Sequence, residues 1–119
     1  MSAPERLIFI YNADGGLLNM ALDSLHKTLS PATYPCSLCA ITYGSVRMDP
    51  KWRKWLKALV IPAVFQHKDD TPHKHIPLPA VLAERGSKVE VLIDAPTLDS
   101  LGSLDALIAL MEVRLALGE

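Results

Sequence analysis

Two cysteines three positions apart are the residues best suited to chemistry in this 119-residue chain, and Cys36 and Cys39 are its only cysteines. A Cys-x-x-Cys pair can close a small disulfide, exchange it with another thiol, or supply half of a tetrahedral metal site. Redox use requires no cofactor, but it needs one thiol whose pKa is lowered by a helix N-terminus or a nearby cation. His26 and Lys27 are the candidates for that charge. Cys36 would be the attacking thiol and Cys39 the resolving one, because solvent usually reaches the first cysteine of such a pair. Metal use, with zinc or iron, needs further ligands. A second Cys-x-x-Cys is absent, and His26 is the candidate third ligand. Two buried thiols behaving as small hydrophobes are the plain structural alternative.

A second group combines imidazoles and carboxylates: Asn12, Asp14, Tyr43, His67, Asp69 and Asp70, with His73 and His75 in an adjoining loop. Such residues ligate transition metals or move protons as general acids and bases. The same types in a Pro-flanked loop also make an ordinary solvated surface. Trp52 and Trp55 sit among Arg47, Lys51, Arg53, Lys54 and Lys57. Aromatics interleaved with cations can stack bases and meet phosphates, but the Trp spacing fits a core-facing helical stripe better. Met20 and Met111 read as core fillers.

The elements that must position these groups follow from hydropathy and punctuation. Leu7–Asn12 is a continuous apolar run, the pattern of a strand buried on both faces. Asp14-Gly15-Gly16 ends it, and Leu18, Ala21, Leu22, Leu25 and Leu29 predict a helix that Ser30-Pro31 closes. Leu38–Tyr43 reads as a second strand, broken by Gly44. Asp49-Pro50 is a helix start, with Asp as cap and Pro in the first turn. Trp52, Trp55, Leu56 and Leu59 share one face of that helix. Ile61–His67 reads as a third strand and Lys68–Pro77 as the longest loop. Leu78–Ala83 and Val89–Ile93 are two further strands, joined at Glu84–Ser87 by a hairpin loop. Ala95-Pro96 ends the last strand. Ser103 caps a final helix that turns Leu104, Leu107, Ile108, Met111 and Leu115 inward.

The order is β-α-β-α-β-β-β-α in one domain: an α/β chain with a mixed five-stranded sheet flanked by helices. Twelve Lys+Arg stand against 13 Asp+Glu, and 50% of residues are hydrophobic. A chain of this length forms about one domain and buries roughly two-thirds of its unfolded surface. Collagen-like, disordered and disulfide-scaffold classes are excluded. Near-neutral charge argues against general nucleic-acid binding, which needs a basic excess. The longest apolar stretches, such as Val60–Phe65, fall far short of the roughly 20 residues that span a bilayer. Asn12 and Asp14 interrupt the first apolar run before it could serve as a signal peptide. The expectation is a cytoplasmic protein with no membrane partner, its thiols reduced at rest.

This element order resembles the thioredoxin-like fold, and the most specific local match is Ile76-Pro77-Leu78-Pro79-Ala80-Val81. In that family a cis proline precedes the hairpin's first strand and faces the active site. The resemblance implies that role for Pro79, with Pro77 as second choice and Asn12 and Asp14 beside it, and a thiol substrate or protein partner. The family's redox motif follows the first strand, where this chain has Ala13-Asp14-Gly15-Gly16. If Leu38–Tyr43 is a parallel strand, the Cys pair lies about 17–20 Å from Pro79, at the opposite end of the sheet. Tyr11-Asn12-Ala13-Asp14 and Tyr34-Pro35-Cys36-Ser37-Leu38-Cys39 also look like a family of small uncharacterised bacterial proteins, some labelled GTPases. The chain has no GxxxxGK[ST] loop to cradle phosphates.

Overall fold

A computed structural model describes residues 4–12, 36–43 and 48–117. The helix expected after Asp14-Gly15-Gly16, together with Asp14 and His26, lies outside the described residues. The first strand, β1 (Arg6–Tyr11), has Leu7 to Ile10 wholly buried. Its unbroken apolar sequence follows from cover on both faces. Leu7, Phe9 and Tyr11 join one core cluster, whereas Ile8 and Ile10 join another with Ala80 and Leu82. That alternation is the period-two geometry of a strand.

Among the described residues, two helices come next. α1 spans Ser37–Thr42 and α2 spans Pro50–Ala58. α2 starts where Asp49-Pro50 predicts, with Asp49 Oδ1 accepting from the Lys51 N–H at 2.8 Å. α1 overturns a sequence expectation. Leu38–Tyr43 is not a strand but the body of a helix that Cys36 caps. Leu38 and Thr42, four apart, are both fully buried, and the Thr42 hydroxyl donates back to the Leu38 carbonyl at 2.6 Å. Only Tyr43 returns to extended backbone, bridging Met48.

Strands β2 (Ala63–His67), β3 (Ala80–Arg85) and β4 (Lys88–Ile93) complete the sheet. Its order is β2-β1-β3-β4. β1 and β2 are parallel, while β3 is antiparallel to both β1 and β4. The described sheet therefore has four strands rather than the five expected, because α1 replaces one. The Leu78–Pro79 peptide at the entry to β3 is cis.

Ala95-Pro96 does more than end β4. Asp94 caps a helix, α3 (Ala95–Leu101), its carboxylate accepting from the Thr97 N–H at 3.0 Å. Gly102, at φ +74°, turns the chain into α4 (Leu104–Leu117). The Ser103 hydroxyl accepts from the Ala106 N–H at 3.2 Å, the cap its position predicts. All four described helices contribute to the cluster that covers Leu7, Phe9, Val81, Ala83 and Ile93: Leu38, Trp52, Leu98, Leu107 and Met111 fill it. Trp52 packs edge-on against Phe9 with ring centroids 5.5 Å apart.

Candidate functional site

Cys36 occupies the cap position of α1 with extended backbone, φ −113° and ψ 93°. Three residues later, one turn of helix returns Cys39 to the same side, with Cα atoms 5.3 Å apart. The Sγ atoms lie within disulfide-bonding distance, and the two residues are paired. The Cys39 N–H donates to Cys36 Sγ at 3.2 Å. An N–H aimed at sulfur favours the thiolate when the pair is reduced. A helix start at Cys36 is a feature of the kind that thiol activation calls for, as are cations such as His26 and Lys27.

The surroundings are apolar. Cys36 is 0% exposed and Cys39 6%, and both belong to the core cluster with Leu38, Leu98 and Leu107. The ranking is the reverse of the expectation that solvent reaches Cys36 first. α1 packs against α3. The Ser37 hydroxyl between the two cysteines is buried without a hydrogen-bond partner.

The last turn of α1 reaches the carboxyl end of β1. The Tyr43 ring meets Tyr11 edge-on at 5.9 Å. Burial pushes the Tyr11 phenol well above its ordinary pKa, and the adjacent Tyr43 adds to the shift. Next to Tyr11 in β1, Ile10 pairs with Ala80, the residue after Pro79. α1 therefore ends at the Pro79 end of the sheet. Cys36 begins the same helix about 9 Å earlier along its axis. Placing the Cys pair at the opposite end depended on a strand that the structure replaces with this helix. Asn12 follows β1 at that end, half-buried.

The imidazole–carboxylate group divides. His67 ends β2, and its Nδ1 lies 3.2 Å from Asp70 Oδ2, while its backbone N–H donates to Asp70 Oδ1 at 2.7 Å. The Asp70 and Thr71 N–H groups donate in return to the His67 carbonyl. That backbone N–H, above all, holds the Asp70 carboxyl below its ordinary pKa. The Lys74 ammonium reaches the carbonyls of Lys68 and Asp69. His73 donates its backbone N–H to the buried Thr71 hydroxyl, which itself donates to Gln66. This hydrogen bonding makes a closed turn. His75 is exposed, and no pairing among the described residues joins it or His73 to His67. No group of three or more His, Cys, Asp or Glu able to hold a metal occurs among the described residues.

Trp52 is fully buried and stacks on the half-buried Trp55 at 5.2 Å, as a core-facing stripe should. The helix start at Cys36 was the element that sequence reasoning missed. Leu38 and Thr42 at helical spacing were its signal, outweighed by the apolar run Leu38–Tyr43. The start at Asp94 had a plainer one: an Asp just before Ala-Pro, much like Asp49-Pro50.

No protein-family model matches the chain, and neither does any curated protein or solved structure compared with it. No helix among the described residues is long and apolar enough to cross a membrane.

Proposed function

We propose that this protein is a small thiol–disulfide redox protein of thioredoxin-like architecture, working through Cys36 and Cys39. The observation that carries the reading is the Cys39 N–H donated to Cys36 Sγ at the start of α1. It supports Cys36 as the sulfur of the pair better able to persist as a thiolate. The architecture is supported by the parallel β1–β2 pair, the antiparallel β3–β4 hairpin and the cis Leu78–Pro79 bond before that hairpin.

The reaction balances with two electrons. In the reduced protein the Cys36 thiolate attacks a sulfur of a substrate disulfide, forming a mixed disulfide and releasing one substrate thiolate, which takes up a proton. The Cys39 thiolate then attacks Cys36 Sγ. The Cys36–Cys39 bond forms, and the second substrate thiolate leaves. The substrate disulfide is reduced to two thiols and the protein dithiol is oxidised. Both sulfurs are buried, so exchange proceeds from a state in which the first turn of α1 is open.

That burial also favours a second reading, a structural disulfide that closes a four-residue loop. Chain entropy assigns such a loop about 2 kcal/mol. Reaction of the reduced, folded protein with a small disulfide reagent separates the two. Redox use predicts that both thiols exchange and that Cys36→Ser abolishes reduction of a protein disulfide such as insulin. Thiols that stay inert until the chain unfolds would leave the structural disulfide standing.

A further inference from the structure

We infer that β4 is a self-association edge, pairing antiparallel with β4 of a second copy of this chain about a two-fold axis at Val89. β4 is the last strand of the sheet, with no neighbour on its outer side among the described residues. The β3–β4 connection is the two-residue turn Gly86-Ser87, in which Gly86 has φ +60°, the first-position geometry of a tight hairpin. Residues flanking such a turn form a hydrogen-bonded pair. The hydrogen-bonded pairs are then Arg85–Lys88 and Ala83–Glu90, so the N–H and C=O groups of Val89 and Val91 point away from β3. A free row of this kind is a template for another strand.

Side chains select the occupant. Val89 and Val91 are 37% and 46% exposed, and they lie on the same sheet face as Leu82. Lys88 and Glu90 lie on the opposite face and are exposed. About an axis at Val89, Lys88 of each copy falls opposite Glu90 of the other, while Val89 meets Val89. Both polar cross-strand pairs are then oppositely charged, which favours pairing. An axis at Glu90 would set like charges face to face. An axis at Val91 would need the Leu92 region, where Arg114 of α4 already donates to the Leu92 carbonyl at 2.6 Å. One register remains, and it is self-complementary, as a two-fold interface requires. Within each copy Glu90 also pairs with Arg85, which leaves Lys88 as the cation turned to the partner. Edge strands usually avoid association through charged side chains, Lys above all, or Pro. The alternation of Lys88 and Glu90 cancels across this axis instead.

The full chain, kept reduced to exclude intermolecular disulfides, tests this by sedimentation equilibrium across a wide range of concentration. The expected result is a monomer–dimer equilibrium that weakens with salt. Lys88→Glu sets two glutamates opposite each other at both ends of the pairing, and weakens association roughly tenfold or more. Adding Glu90→Lys to it swaps the charges and restores association. Val89→Pro removes an outward N–H without touching the β3 ladder, so dimer is lost while circular dichroism stays native. A chain monomeric at every concentration overturns the proposal. So does a dimer that neither Lys88→Glu nor Val89→Pro weakens. The outcome does not depend on whether Cys36 and Cys39 are redox-active.

Discussion

Cys36 and Asp94 start two helices that pack against each other, and both accept an N–H from the residue three positions on. Their surroundings differ. Asp94 is exposed, and hydrogen bonds from the Thr97 side chain and backbone hold its carboxyl below its ordinary value of 3.8. Cys36 is wholly buried, and its sulfur is bonded to Cys39. The same local geometry thus gives a permanent charged cap at one helix and a conditional one at the other. On the proposed redox reading, reduction to a thiolate would convert the Cys36 cap from a neutral sulfur to a far better acceptor. On that reading, capping a helix and activating a thiol would be one interaction, seen in two oxidation states.

The comparison can be broken in four ways. Leu98 is the wholly buried α3 residue in the cluster that holds Cys36. Leu98→Ala is expected to cost about 3 kcal/mol in denaturant unfolding. It should also speed alkylation of the reduced cysteines, because α1 loses its support. Unchanged alkylation alongside that destabilisation would show that α3 does not gate the sulfurs. Reducing the Cys36–Cys39 bond should lower stability by about 2 kcal/mol, read as a shift in the urea midpoint. A smaller loss is the signature of a reduced thiolate that still caps α1.

Asp49 is the ordinary cap to set against them. Asp49→Ala should cost about 1 kcal/mol, equally under oxidising and reducing conditions. A redox-dependent cost would mean that α1 and α2 are coupled. The smallest effect is titration. Asp70 and Asp94 have carboxyls lowered in the folded state. Their stabilisation is present above the unfolded value and is lost as pH falls through the lower folded one. Melting temperature should therefore decline below about pH 4. Replacing both with Asn should flatten that decline.

Much of this arrangement was legible because punctuation and period agreed. Asp49-Pro50 announced α2, Ser103 announced α4, and the apolar run of β1 announced a strand covered on both faces. Leu38–Tyr43 failed for a physical reason. Six residues rich in apolar and β-branched side chains fit a short buried strand as well as a short buried helix. Tertiary cover, supplied by α3 and the sheet, decides between them. At α3, Ala95-Pro96 reads as a stop for the preceding strand, whereas proline in a first turn belongs to a helix beginning. The candidate site suffered most, since placing the cysteines at the far end of the sheet rested on that one misassigned element, Leu38–Tyr43. The link between His67 and Asp70 is a turn three residues long, and residue types alone do not separate such a turn from a catalytic pair.

The chain has two tryptophans, and both lie on α2, stacked on one another, with the Trp52 ring edge-on to Phe9 of the sheet. Intrinsic emission is therefore a local signal, reporting whether one helix is docked rather than whether the whole fold is intact. A redox titration followed by fluorescence would be silent if α1 opened alone. The same titration would show a spectral shift if opening α1 also released α2. The molecule carries a built-in optical test of how far the disturbance at its cysteines spreads.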